Sequence, residues 1–214
     1  MKRFTPSSLL ILLVAVVLAA FGGTASPATP DTAPNADDPV AAWTVDAAHS
    51  SIGFSVRHLG IANVRGTFSG YDVDLQFDPA DLSTLTTTAN IQIETIDTRN
   101  QRRDDHLRSD DFFHVQEFPT MRFESTGVQN INGDSFEIIG NLTIKDVTRE
   151  VVLAATMNGT AEFMGNEVAA LTAQTVIDRH DYGLTWNRMT EAGGVVVGSD
   201  ITITLEIEAM REQA

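Results

Sequence analysis

The 214-residue chain has no cysteine, so no disulfide can brace it and no lipid can be attached through an N-terminal thiol. Basic residues are scarce, with 14 Lys and Arg against 29 Asp and Glu. Such an excess of acid argues against nucleic acid and anionic membrane surfaces as partners, because both attract basic patches. Long apolar runs are also missing. The one candidate, Leu9 to Phe21, has thirteen residues, short of the roughly 20 a spanning helix needs. Catalytic fingerprints are missing too: HExxH, GxSxG, a P-loop and a dinucleotide-binding glycine pattern do not occur.

What is present begins with an address. Lys2 and Arg3 precede the apolar run, and Gly-Gly-Thr-Ala-Ser-Pro-Ala follows it. This order is that of a secretory signal peptide over residues 1–28, with cleavage expected after Ala25 or Ala28. Without Lys2 and Arg3, 12 basic residues face 29 acidic ones, a formal charge of −17. Residues 29–42, rich in Pro, Ala, Asp and Thr, read as a linker. One domain is expected over residues 43–210, long enough to be held by its core alone.

Within that domain apolar residues recur at every second position. Ile52, Phe54 and Val56 alternate with polar or small residues, as do Val73, Leu75 and Phe77. Ala89, Ile91 and Ile93 repeat the pattern, then Met121 and Phe123, then Ile201, Ile203, Leu205 and Ile207. Each set reads as a half-buried strand. Ser135 to Ile144 and Arg149 to Met157 read as a hairpin, and Glu167 to Ile177 brings the number of strands to about eight. Phe68 and Val73 are out of phase, which places a bulge at Gly70. The fold class is therefore all-β and antiparallel. A sandwich and an eight-stranded barrel both satisfy this pattern. The charged outward positions do not suit an outer-membrane barrel.

The run RRDDHLRSDDFF, residues 102–113, breaks the alternation with dense charge and then two phenylalanines. A short helix or ordered turn in a strand connection accounts for it, with Leu107, Phe112 and Phe113 turned inward as a lid. Asp104, Asp105 and His106 are of the right types for a metal site or acid–base work, but without a supporting spacing a salt-bridge cluster explains them better. Arg179 and Asp181 are read as a structural pair.

Five segments in order resemble the YceI-like family: WTVDAAHSSIGFSVRHLGIANVRGTFSGYDVDLQFDP, RRDDHLRSDDFFHVQEFPTMRFES, GNLTIKDVTREVVL, IDRHDYGLTW and VGSDITITLEIEA. The resemblance implies a periplasmic, lipocalin-like, eight-stranded up-and-down barrel with an apolar tunnel for a polyisoprenoid, an isoprenoid quinone or a polyprenyl phosphate. Asp146 departs from it, standing in a hairpin turn where glycine is frequent in the family.

In such a tunnel the ligand contacts would be Phe54 and Val56, Val73 and Leu75, Ile91 and Ile93, Met121 and Phe123, and Ile201, Ile203 and Leu205. Leu107, Phe112 and Phe113 would close over the chain, while Arg103, Asp104, Asp105 and Arg108 tie the lid to the rim by paired charges. His58, Arg65, His106 and Trp186 are head-group candidates. The expected role is that of a non-enzymatic carrier. Its partner is a polyisoprenoid or similar amphiphile, with neither nucleic acid nor stable membrane insertion, and with no cofactor beyond the bound lipid or quinone; a homodimer is left open. Two other readings compete: an enzyme acting on such a lipid through His106 and Asp104 or Asp105, and a filled-barrel protein-interaction module. From alternation alone, a filled and a hollow barrel are equally compatible with these residues.

Overall fold

The structure, a computed structural model, describes residues 40–191 and 193–212. The expected signal peptide, and the expected linker up to residue 39, lie outside the described residues.

The strands are β1 (Ala41–Val45), β2 (Ser51–His58), β3 (Ala62–Phe68), β4 (Tyr71–Asp78), β5 (Asp81–Gln92), β6 (Ile96–Asp97), β7 (Thr120–Asn132), β8 (Ser135–Ile144), β9 (Val147–Phe163), β10 (Asn166–Asp178) and β11 (Val197–Arg211). Among the described residues one α-helix, α1 (Gln101–Arg108), joins β6 to β7. Short 3-10 turns occupy Ile93–Thr95 and Arg179–Tyr182. Pairing of β1 draws Ala41 and Ala42 out of the expected linker, since they lie opposite Phe77 and Gln76.

These eleven strands fill eight positions around one closed sheet. β1 and β2 both run antiparallel to β11, so they are two pieces of one line interrupted at residues 46–50. β3 continues into β4, and β5 continues through a 3-10 turn into β6. The circuit passes β1, β4, β5, β7, β8, β9, β10 and β11 and closes where β11 pairs with β1. An eight-stranded antiparallel barrel is the result, and the sandwich is ruled out because a single sheet returns to its own first strand.

Gly70 sits at a break between β3 and β4, which absorbs the phase slip in place of the expected bulge. Its N–H donates to Thr95 Oγ1 at 2.9 Å and its carbonyl accepts from Gln92 N at 2.8 Å. The β8–β9 hairpin pairs Ile144 with Val147 across Lys145 and Asp146, and Lys145 takes the left-handed conformation there at φ 58°.

One end of the barrel is plugged. Trp43 stacks on Phe77 with ring centroids 4.7 Å apart, and its indole N–H donates to the Phe77 carbonyl at 3.0 Å. Phe136 and Met157 are buried in the same core, as are the register partners Ala169 and Ala209. Burying each large side chain contributes about 1.5–3 kcal/mol, so this aromatic plug adds to the core that must hold a chain without disulfides. Among the described residues no helix is long and apolar enough to cross a membrane.

Candidate functional site: an apolar cavity beneath a charged lid

The inward side chains do not fill the barrel. They enclose a cavity of about 230 Å³. Its wall follows β11 from Val197 to Ile207. Ten residues at about 3.3 Å each, tilted by about 40°, give a length near 25 Å. A small volume over that length describes a slot one chain wide. The value falls just below the roughly 300–1,000 Å³ usual for preformed ligand pockets, so a long ligand must shift side chains as it enters.

Two aromatic side chains keep the slot open by lying against the wall. Phe54 stands opposite Gly66 across β2 and β3, and a Cβ on Gly66 would fall 2.5 Å from the Phe54 ring. Phe123 likewise covers Gly140, where a Cβ would fall 2.4 Å from the ring. Glycine at each place gives the ring somewhere to lie other than the lumen.

The wall collects nearly all the residues expected there. Phe54, Val56, Val73, Leu75 and Ile91 line it, as do Met121, Phe123, Ile201, Ile203 and Leu205. Ile93 does not. It opens the 3-10 turn after β5, where the period of two is lost, and it is fully buried in the core. The contribution of β8, β9 and β10 was not foreseen: Ile138, Leu142, Leu153 and Leu171 also face the lumen. The alternation of Phe136, Ile138, Leu142 and Ile144 carried that signal.

The lid is α1 with the loop behind it. Asn100 caps the helix, its side chain accepting from Arg103 N at 3.1 Å, and Ser109 closes it through a bond to the His106 carbonyl. Leu107, Phe112 and Phe113 line the cavity from this side. The charges hold the lid differently from the expected ion pairs. Arg103 Nε donates to Thr98 Oγ1 at 2.7 Å, and Asp104, only 5% exposed, accepts from both N and Oγ1 of Thr98. Arg108 reaches the carbonyls of Glu94 and Ile96, each at 2.9 Å. Of the four, Asp105 and Arg108 alone meet one another, at 3.3 Å. Backbone carbonyls and one threonine thus carry most of the attachment, and the expected pairing between lid and rim is met, among the described residues, by Arg108 with Glu94 at 3.7 Å.

The head-group candidates scatter. Arg65 is exposed: it alternates with Gly66, whose face points inward, and so projects to the outside. His58 ends β2 opposite Ala62 and Val197 and is not part of the cavity wall. His106 and Trp186 belong to the lid instead. His106 meets Phe112 and Trp186 edge-on, with centroids 5.0 and 4.8 Å away, and its Nε2 lies 2.7 Å from Asp111 Oδ2. Phe112 and Trp186 are 5.2 Å apart. This aromatic triangle clamps the lid to the loop that follows β10. His106, Asp104 and Asp105 each bond elsewhere and do not form the acid–base group considered from sequence.

Arg179 is the residue that adjacency misread. It does not pair with Asp181. It is 2% exposed, lines the cavity and donates Nε to the Gly198 carbonyl at 2.9 Å and Nη1 to the Leu184 carbonyl. Burial lowers its pKa from the usual value, and Asp178 works weakly in the opposite direction. Tyr182, three residues on, is buried with its hydroxyl unpartnered among the described residues. Burial, reinforced by Asp181 and opposed by Arg149, pushes its pKa up to about 12. Away from the cavity, Asp46, His49 and Glu208 gather at the β1–β2 interruption, with His49 Nδ1 2.9 Å from Asp46.

Comparison with known proteins agrees with this architecture. The chain is 36% identical over 168 residues to a UPF0312 protein of Staphylococcus aureus (strain N315), covering 78% of this chain and 95% of that protein. A Campylobacter jejuni YCEI protein superposes with a TM-score of 0.65 at 32% identity, covering 79% of this chain and 98% of that one. Two more distant structures share the fold. Burkholderia cenocepacia BcnA has a TM-score of 0.68 at 18% identity, covering 77% of this chain and 98% of that chain. A polyisoprenoid binding domain from Saccharophagus degradans has a TM-score of 0.56 at 12% identity, covering 81% of this chain and 100% of that chain. The YceI-like domain model matches residues 43–209, and the chain belongs to the YceI-like family.

Proposed function

We propose that this protein is a periplasmic binding and carrier protein that holds a long-chain isoprenoid lipid or quinone in its barrel. The observation that carries the reading is the slot itself, about 230 Å³ of space with apolar walls relieved only by three threonines and Arg179. An empty apolar cavity is costly to keep, since each leaves packing contacts unmade. A flexible, unbranched-to-branched hydrocarbon tail fits a slot one chain wide. At about 0.3 kcal/mol per heavy atom, a tail of about 25 carbons would contribute roughly 7.5 kcal/mol, a micromolar Kd without any catalytic group. The polyisoprenoid binding domain among its structural neighbours supports the ligand class, and the leader-like N-terminus supports export.

The lid gives the carrier its gate. Leu107, Phe112 and Phe113 shield the tail from water, while Arg103, Asp104 and Arg108 fasten the helix to the β5–β6 rim. Entry requires the aromatic triangle of His106, Phe112 and Trp186 to part. The test is a titration of delipidated protein with all-trans prenols of increasing length, followed by quenching of tryptophan fluorescence. Affinity should rise with each added unit until the slot is full and then level off. No saturable binding at any length would contradict the reading.

A further inference from the structure

We infer that the mouth of the barrel docks on a bilayer surface containing anionic phospholipid, without spanning it. Two joined apolar tips make the contact, the β2–β3 turn and the hairpin of residues 188–196, with unpaired arginines around them. The inference rests on the lipid-carrier reading of the cavity and adds to it the surface from which the barrel takes its ligand.

β2 and β3 are joined by a tight turn in which Ile61 N donates to the His58 carbonyl at 3.2 Å. Its two central residues, Leu59 and Gly60, have φ of 55° and 73°. Asparagine or aspartate before glycine suits such a turn, whereas leucine there strains the backbone and stands in water. Beside it, the arms of the second hairpin touch at Met189 and Val195. Leu59 N bonds to the Val196 carbonyl at 2.9 Å, which makes the two tips one unit. Ile61 is 82% exposed and Met189 70%, and Leu59 and Val195 are exposed with them. A single exposed apolar side chain is ordinary, but four on two joined tips make a patch.

The patch lies at the mouth. Val56, just before His58, lines the cavity, as do Leu184 and Val197 on either side of the hairpin. Trp186, which clamps the lid through His106 and Phe112, comes just before Met189 in the chain. Contact at the tips therefore bears on the segment that holds the lid shut.

Charge selects the occupant. Arg57 and Arg65 are exposed on the outer faces of β2 and β3, and Arg188 is exposed at the foot of the hairpin. None of these three side chains has an ion-pair or hydrogen-bond partner among the described residues. Away from the mouth, Arg122 pairs with Glu124 and Arg211 with Glu167. In a chain with 14 Lys and Arg against 29 Asp and Glu, arginines left unpaired around an apolar patch suit the phosphates of a lipid surface. Glu191 is the one acid on either tip.

Net charge argues against an anionic surface for the chain as a whole, but its distribution along the barrel does not. Asp81, Asp134, Glu162 and Glu212 are exposed at the plugged end, where the strands turn or finish. An anionic surface repels that end and so turns the mouth toward itself. A second apolar tip, Phe163 and Met164, stands at the plugged end, but there Glu162 lies opposite Glu167 and the flanks are acidic. A second copy of the chain fits the mouth poorly. A two-fold contact would set the arginines against one another, and two loop tips offer little of the roughly 1,200–2,000 Å² that a stable interface buries.

The test is flotation of exported protein, purified without detergent, with two kinds of vesicle. One is phosphatidylethanolamine mixed equally with phosphatidylglycerol, the other phosphatidylcholine. The protein should float with the anionic vesicles, and less so as salt is raised. Ile61→Ser combined with Met189→Ser should weaken this binding by about 10-fold or more. Arg57→Gln and Arg188→Gln should each weaken it by about 5-fold. All four side chains are exposed and none lines the cavity, so the fold and prenol binding in solution should be unchanged. Phe163→Ser combined with Met164→Ser, at the far end, should leave flotation as it is. No flotation with either vesicle, or equal and salt-insensitive flotation with both, overturns the inference. Binding that survives I61S/M189S and is lost in F163S/M164S overturns it too. A concentration-dependent dimer in sedimentation velocity that I61S/M189S abolishes would give the tips to a second copy, with the same consequence. Prenol titration of the same preparation after delipidation separates the two readings. Prenol binding without flotation removes the docking surface and leaves the carrier reading standing, whereas flotation without prenol binding removes the carrier reading and leaves the docking surface.

Discussion

Replacing Ala173 with phenylalanine should make the protein more stable and at the same time destroy its ability to bind lipid. Ala173 faces the cavity from β10, in register with Ala155 on β9 and Leu205 on β11, and Ala155 also lines the cavity. A large ring entering this space occupies volume that is now empty. Full burial of a phenylalanine side chain contributes about 1.5–3 kcal/mol, less about 0.5–1 kcal/mol for rotamer freedom lost. The net gain is about 1–2 kcal/mol. For a domain of this size that raises Tm by about 2–8 °C. The assay is thermal unfolding of delipidated unaltered and A173F proteins, paired with prenol titration of each. In a barrel whose side chains already meet, the same ring would overpack the core and cost about 1–3 kcal/mol. A fall in Tm would therefore refute the hollow-barrel reasoning, whatever happens to binding.

Three further outcomes follow from the geometry. Asp104→Ala strips Thr98 N and Oγ1 of their buried charged acceptor and should cost about 2–4 kcal/mol, read by urea unfolding, with faster amide exchange across residues 99–115; a loss below about 0.5 kcal/mol would mean that the lid is held by its other bonds. Tyr182→Phe removes an unpartnered buried hydroxyl, so stability should hold or rise by up to about 1 kcal/mol; a loss beyond that would reveal a partner such as a buried water. His49, hydrogen-bonded to Asp46 and near Glu208, has its pKa raised above 6.5, while that of Asp46 is lowered below 3.8. The His49 contribution to stability is therefore complete below pH 6.5 and fades as pH rises through the raised value; that of Asp46 is present above 3.8 and fades as pH falls through the lowered value. An NMR titration of the His49 ring should show a midpoint above 6.5 that drops in Asp46→Asn, and a midpoint at or below 6.5 would refute the pairing.

Much of the barrel was legible because its inward positions are apolar and its outward ones polar over strands such as Ile201 to Ile207. Alternation reports a face, though, and not which strand lies beside which. Closure depends on Trp43 meeting Arg211, partners separated by most of the chain, and local pattern contains nothing of that. The lumen residues of β9 and β10 were hidden because apolar side chains occupy both faces: Val151 lines the cavity beside an exposed Val152, and Ile177 beside an exposed Val176. Ile93 and Arg65 failed for the opposite reason. A 3-10 turn broke the parity at one, and at the other parity pointed outward and outweighed the appeal of a cation near a strand end. Arg179 was misassigned because sequence adjacency to Asp181 suggested a pair, whereas the 3-10 turn starting at Arg179 carries the two side chains apart, one buried and the other exposed.

The account stands on the claim that the barrel is hollow so that it can hold a lipid tail. Native mass spectrometry of protein purified without detergent, followed by solvent extraction, tests this most directly. The account predicts a discrete noncovalent adduct, in at most one copy per chain, that extracts as an isoprenoid and can be exchanged for an added prenol. A clean apo mass that no added prenol alters would contradict it.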